Sequence, residues 1–290
     1  MEGLIVKGIA GFYYVKTSNN EVFQCKARGI FKKKGILPYV GDEVEFQVLE
    51  DGDGIIDQIY PRKNQFIRPP ISNIDMFVVV IAGTMPNPNP RIIDRFLVMA
   101  EKSGAEILLC FNKTDITDPK TIELLTKIYG GLYNMVFVSG KKNIGIDKLK
   151  ASLNGNKVAF AGPSGVGKST LINRLNENEN IETGEISNKT NRGKHTTRHV
   201  EIFDTDFGAM IYDTPGFTSF DVLEAEVDQL HFYYPEMDKY IGQCKYDNCR
   251  HLKEPNCAVL KALEAGEIHK SRYDSYVEQM NELLKKQIIK

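Results

Sequence analysis

The sequence has almost no net charge: 37 Lys and Arg stand against 38 Asp and Glu, a balance of −1 over 290 residues. That excludes a wholesale basic coat for nucleic acid, although a local basic patch survives such averaging. Long hydrophobic runs are also missing. No apolar stretch reaches the ~18 residues of a membrane span. The longest, Met76 to Ala82, has the length of a buried strand. The first twenty residues show no charged leader, long apolar stretch and small-residue cleavage site, which argues against secretion. Cysteine is scarce at five residues, yet Cys244, Cys249 and Cys257 fall within fourteen residues with His251 between them. Without a secretion signal, that clustering reads as metal rather than disulfide, and the chain reads as cytoplasmic with no membrane contact. Internal repeats and low-complexity segments are absent as well. What is present is 42% hydrophobic and 26% charged, an ordinary soluble composition. The length predicts two or three domains.

Residues 1–62 read as all-β. Short runs recur at Leu4–Ile9, Phe12–Thr17, Val22–Ala27, Val44–Leu49 and Ile55–Ile59, with turn residues between them. Strands at this density predict a small barrel, and an OB-type barrel is the natural choice among several. Pro61 to Pro70 reads as a linker. From there to residue 222, unbroken apolar strands alternate with helical periodicities, which predicts a parallel sheet covered by helices. The strands are expected at Met76–Ala82, Ile107–Phe111, Met135–Val138, Lys157–Ala161, Val200–Phe203 and Ala209–Tyr212. Residues 223–290 read as helices, at Val227–Phe232, Cys257–Ala265 and Lys270–Lys286.

Gly162-Pro163-Ser164-Gly165-Val166-Gly167-Lys168-Ser169 fits G-x-x-x-x-G-K-[ST], after a predicted strand and at the head of a predicted helix, and Thr170 extends it. Glycines let backbone N–H groups surround phosphate oxygens. Lys168 supplies a point charge, Ser169 a Mg²⁺ ligand, and the helix N-terminus a partial positive charge. A P-loop does not choose the base. Asn112-Lys113-Thr114-Asp115 does, past the strand Ile107–Phe111. The Asp115 carboxylate accepts from the ring N–H and amine of guanine, where adenine presents an acceptor, and such mismatch is rejected strongly. Ser139-Gly140-Lys141 is a further base-edge candidate. Asp213-Thr214-Pro215-Gly216 ends a strand; Asp213 is placed to hold Mg²⁺ through water and Gly216 to sense the γ-phosphate. Between them, Gly193-Lys194-His195-Thr196-Thr197-Arg198 carries the switch threonine, Thr197 first and Thr196 second, as the remaining Mg²⁺ ligand.

The order is permuted, with the NKTD motif at 112 ahead of the P-loop at 162. Cutting the same sheet elsewhere produces this, since close termini tolerate permutation. The second switch then leads directly into the Cys/His region. Cys244, Cys249, His251 and Cys257 form a Cys₃His set suited to one structural Zn²⁺, with no position left for water. The residue after Gly216 is Phe217, where many P-loop GTPases carry a Gln that orients the attacking water. His195 is the nearest substitute, as a hydrogen-bonding or proton-handling group. Lys26, Arg28, Lys32, Lys33 and Lys34, interleaved with Phe23, Phe31 and Tyr39, make a candidate RNA loop on the barrel. A second basic run lies between Ile186 and Val200.

With GPSGVGKST, GKHTTRH, DTPGF, the permuted order, the small barrel and the Cys/His cluster, the chain resembles the RsgA (YjeQ/YloQ) family of small-subunit assembly GTPases over nearly its whole length. The resemblance implies an OB-fold domain (1–62), a permuted GTPase domain (63–222) and a helical zinc domain (223–290). It also implies GTP and GDP as ligands, hydrolysis stimulated by the 30S subunit through contact with 16S rRNA, and a role in late 30S maturation. No heptad or interface pattern argues for more than a monomer. The competing readings are a GTPase of the large subunit and a nucleotide-gated RNA binder whose hydrolysis is incidental.

Overall fold

A computed structural model describes residues 1–33, 35–67, 69–176, 200–214 and 225–289. Lys34, the run 187–199 with His195, Thr196 and Thr197, and Gly216 and Phe217 lie outside the described residues.

The first five strands are β1 (Glu2–Ile9), β2 (Phe12–Lys16), β3 (Val22–Ala27), β4 (Glu43–Val48) and β5 (Gly54–Ile59), with a short helix α1 (Gly29–Lys33) after β3. β1 pairs antiparallel with β2 and with β4, β2 with β3, and β4 with β5, while β3 runs parallel to β5. The circuit 1-2-3-5-4-1 closes a five-stranded barrel of the expected OB type. Period-two patterning sets it: Val44 and Phe46 are buried while Glu43, Glu45 and Gln47 face water. α1 escaped the sequence reading because five residues are too short to display a 3.6-residue period.

The stretch read as a linker is tied down instead. Its strand β6 (Gln65–Phe66) pairs with β7 (Ile71–Ser72). Asn64 holds the turn, its side chain donating to Ile74 O (2.8 Å) and accepting from Ile74 N (2.9 Å). Prolines interrupt regular structure here, and side-chain amides supply the bonds that a longer ladder would have made.

The remaining elements run β8 (Met76–Ala82), α2 (Pro90–Ser103), β9 (Glu106–Asn112), a 3₁₀ turn (Thr114–Ile116), α3 (Pro119–Tyr129), β10 (Asn134–Phe137), α4 (Ile146–Leu153), β11 (Lys157–Ala161), α5 (Lys168–Asn176), β12 (Val200–Asp204), β13 (Met210–Asp213), two 3₁₀ segments (Val227–Tyr233, Pro235–Tyr240), α6 (Ala258–Glu264) and α7 (Lys270–Ile289). Helix α2 shows why they start and stop where they do. The Asn89 side chain caps its first turn, Pro90 fits the first helical position, and Gly104 ends it at φ 68°.

Two compact units result. The first gathers residues 1–76, 150–160 and 169–217, the second residues 77–149, 161–168 and 218–290. In the first, the barrel strand β1 pairs with β12, β12 with β13, and β13 with β11. β11 and β13 are parallel as expected, whereas β12 is antiparallel to β13. The short connection from Asp204 to Met210 cannot house the crossover that a parallel pair needs. In the second unit, β10, β9 and β8 are adjacent in that order, with β10 parallel to β9. β8 is buried along its entire length, as its unbroken apolar sequence requires. The C-terminal helices share a core with Val98 of α2, into which α7 turns Tyr273, Tyr276, Met280 and Leu283 at helical spacing. Among the described residues, no helix is long and apolar enough to cross a membrane.

Candidate functional site

The loop from β11 to α5 turns on glycine. Gly162, Gly165 and Gly167 have φ of 139°, 79° and 99°. At Gly167 a side chain would collide with the Asn112 amide, so the loop and the NKTD motif meet only because no Cβ stands between them. Lys168 opens α5 and folds back across the loop, donating to the carbonyls of Gly162 (2.6 Å) and Pro163 (2.8 Å). Burial lowers its pKa from 10.5 to about 8. The ammonium is therefore poorly solvated, and an anionic ligand is the natural partner for it. Ser169 and Thr170 are exposed in the first turn of α5.

Asn112, at the end of β9, is buried and acts as a tie. Its Nδ2 donates to Val166 O (2.9 Å), and its Oδ1 accepts from Gly140 N (3.1 Å). One side chain thus joins the P-loop to the 139–141 segment. Lys113 is held in a left-handed conformation at φ 66°. Its ammonium donates to Gly165 O (2.8 Å) and to Met85 O. The N–H and hydroxyl of Thr114 both donate to Val138 O, at 3.1 and 2.9 Å. Asp115 lies half-buried in the following 3₁₀ turn. Ser139 is fully buried and accepts from Lys142 N (3.1 Å), while Lys141 is exposed. The structure therefore gathers residues 112–114, 140 and 162–168 around one loop. Sequence reasoning missed Met85. Its carbonyl is a backbone group in the Pro- and Asn-rich segment after β8, and no side-chain motif advertises it.

Asp213 ends β13. The parallel register sets Ala159 beside Tyr212, so Asp213 stands at the carboxyl end of the strand pair, where ligands of α/β sheets gather. Asp213 and Ser169 offer hard oxygen donors of the kind Mg²⁺ takes.

Cys244, Cys249, His251 and Cys257 place their ligand atoms within 4.8 Å of one another. Cys244 Sγ is 3.8 Å from Cys257 Sγ, and His251 Nδ1 is 3.6 Å and 3.4 Å from those two sulfurs. A tetrahedral ion with bonds of ~2.3 Å to sulfur and ~2.0 Å to nitrogen has edges of ~3.8 Å and ~3.5 Å, so the donor set fits zinc. Second-layer groups fix the loop. Ala258 N donates to Cys244 Sγ (3.3 Å), Tyr273 to the carbonyl of His251 (2.8 Å) and Tyr276 to that of Arg250 (2.8 Å).

The barrel loop departs from its sequence reading in one respect. Phe31 is buried in the barrel core, while Phe23 and Tyr39 are half-buried, Phe23 packing on Phe46 with centroids 5.4 Å apart and Arg62 covering Tyr39 at 4.2 Å. Ile30, Ile36 and Leu37 are the exposed apolar residues there, beside exposed Lys26, Arg28 and Lys33.

A P-loop whose carbonyls are clamped by the Asn and Lys of a motif that precedes it, in a chain that also carries a closed OB barrel and a Cys₃His cluster, defines a circularly permuted P-loop GTPase. Family models extend this. The RsgA GTPase model matches residues 59–223, and the RsgA N-terminal domain model matches residues 2–56. A protein of Clostridium kluyveri called small ribosomal subunit biogenesis GTPase RsgA is 44% identical over 287 residues, covering 99% of both chains. One of the same name from Ruminiclostridium cellulolyticum is 43% identical over 281 residues, covering 95% of this chain and 92% of that protein. The crystal structure of YjeQ from Thermotoga maritima superposes with a TM-score of 0.84 at 36% identity, covering 98% of each chain. YloQ, described as a circularly permuted GTPase, superposes at 0.83 and 36%, covering 98% of this chain and 95% of that one. The chain belongs to the RsgA GTPase family. It is a GTP hydrolase, with Mg²⁺ accompanying the nucleotide and one structural zinc suited to the Cys₃His set.

Proposed function

We propose that this GTPase binds the 30S ribosomal subunit through 16S rRNA and acts in its late maturation, as a cytoplasmic monomer whose turnover the subunit stimulates. The tie from Asn112 to Val166 and Gly140 carries the nucleotide part of this reading, because it builds the guanine motif and the P-loop into one site. The ribosomal part rests on the relatives named small ribosomal subunit biogenesis GTPase.

Residues 1–62 serve as the RNA-binding barrel, 63–222 as the GTPase and 223–290 as the zinc domain. Asp115 reads the guanine edge, supported by Ser139, Gly140 and Lys141. The backbone of residues 162–167 and the Lys168 ammonium hold the phosphates, with Ser169 and Thr170 at the helix start. Ser169, Thr197 and Asp213 supply the Mg²⁺ shell, and Gly216 senses the γ-phosphate. Held by these residues, Mg²⁺ would offset the negative charge that grows on the phosphates in the transition state. The Phe217 side chain has no polar atom to orient water, so His195 takes that task when the subunit is bound. Slow free turnover follows from that arrangement.

GTP hydrolysis by the protein alone, with 30S subunits and with 50S subunits, and with ATP as control, tests the whole reading. The expected result is stimulation by 30S only and inertness toward ATP. Stimulation by 50S alone would assign the large subunit instead. No stimulation by either would remove the ribosomal assignment.

A further inference from the structure

One buried polar chain in the first unit belongs to no site described so far. Tyr212 is fully buried, and its hydroxyl donates to the carbonyl of Ser72 (2.6 Å). The Ser72 hydroxyl donates to Asp42 Oδ1 (2.6 Å). Asp42 is itself fully buried and accepts four bonds. Besides Ser72 they come from Tyr39 N (2.7 Å) and from Arg62 Nε and Nη2 (both 2.7 Å). Arg62 Nη2 then donates to the carbonyl of Leu37 (2.6 Å).

The two ends of this chain are what make it more than glue. One end is the residue immediately before Asp213, in a short strand whose register leaves Asp213 at its tip. The other is the loop after β3, whose Ile30 and Leu37 are 50% and 60% exposed beside Lys26, Arg28 and Lys33. The middle is packed without slack. Gly41 has φ 98°, and a Cβ there would overlap both the Ser72 carbonyl and the Tyr212 hydroxyl. Close-packed, hydrogen-bonded groups of this sort cannot shift one at a time, so they move between discrete arrangements.

We propose that Tyr212, Ser72, Asp42 and Arg62 are positioning residues that couple Asp213 to the exposed barrel loop, so that the nucleotide state sets the loop's grip on RNA and bound RNA sets the placement of Asp213. This coupling rests on the functional reading given above. It requires no displacement of the Cys/His region. Linkage makes it reciprocal: the factor by which GTP tightens RNA binding equals the factor by which RNA tightens GTP binding.

Two conservative variants cut the chain. Tyr212→Phe keeps the ring and loses the hydroxyl, while Ser72→Ala keeps the accepting carbonyl and loses the bond to Asp42. The measurement is the affinity of the full-length protein for 30S subunits, with GDP and with a non-hydrolysable GTP analogue, beside free-protein turnover. Each variant is expected to lower the analogue-to-GDP affinity ratio at least ~5-fold, with free turnover and GDP affinity held within ~2-fold. The double variant should lose no more than either single one, since both cut one path. An unchanged ratio in both variants overturns the proposal. Equal loss of free and stimulated turnover overturns it too, because Tyr212 would then be a local prop for Asp213. A wild-type ratio of one removes the coupling but leaves the GTPase reading intact. Absence of 30S binding in every state instead removes the ribosomal reading, and this inference with it.

Discussion

Lys168 is half-buried and held by two carbonyl oxygens, and burial alone brings its pKa down to about 8. The direction has two consequences. In the ligand-free fold the charged form is penalised, so the stability cost is full below pH 8 and is relieved as pH rises from 8 toward the unfolded value of 10.5. A bound phosphate reverses the preference and draws the proton back. GDP binding above pH 8 is therefore expected to take up close to one proton, and affinity should fall by up to ~10-fold per pH unit there. Calorimetry in buffers of different ionisation enthalpy measures that uptake directly. Binding without proton uptake at pH 9 would mean that Lys168 stays charged in the free protein. This residue was visible in the sequence as the lysine of a spaced motif. Its depressed pKa was not, since burial is a property of the folded loop.

At the scale of elements, α7 is bound to α2 by ion pairs of very different burial. Arg272 is fully buried and reaches Asp94 of α2 (2.6 Å) and Glu236 (2.7 and 3.0 Å), with the Tyr234 ring 4.7 Å from its guanidinium. Asp94 also accepts from Tyr129 of α3 (3.0 Å). Nearer the surface, Arg95 makes a two-pronged pair with Glu282 (2.6 and 3.1 Å), which holds that carboxyl at about 2, and Arg91 meets Glu278 (3.0 Å). Arg272→Met leaves two buried carboxylates without a counter-charge and should cost ~3–5 kcal/mol in a denaturant titration. Arg95→Ala exposes its partner to water and should cost no more than ~1 kcal/mol. Equal losses would mean that burial does not set the worth of these pairs. The apolar stripe of α7 was legible at its 3.6-residue spacing, because period alone reports which face turns inward. Arg272 was not legible, since nothing local distinguishes a buried arginine from the solvated ones around it.

For the molecule as a whole, the Cys₃His cluster and the NKTD motif with its P-loop share no hydrogen bond described above. Asn112 and Lys113 tie the NKTD motif to the P-loop, and Tyr273, Tyr276 and Ala258 hold the Cys₃His loop. Metal binding to such a loop is folding energy for the region around it. Chelation is therefore expected to raise hydrogen exchange across residues 244–283 while GDP affinity stays within ~2-fold of the untreated protein. A large loss of GDP affinity on chelation would show that the two regions fold as one unit.

The sequence by itself determined whatever depends on short spacing. Barrel strands, buried parallel strands, the phosphate loop, the NKTD tetrad and the Cys₃His set each follow from period or interval, because local backbone geometry converts interval into direction. Only the tertiary structure decided which distant groups meet. It made a pinned hairpin of the expected linker, turned β12 antiparallel, took Phe31 into the core, and brought Met85 O to Lys113 and Tyr212 to Ser72. Those outcomes rest on burial, on backbone carbonyls and on contacts far apart along the chain, and no interval between neighbouring residues encodes them.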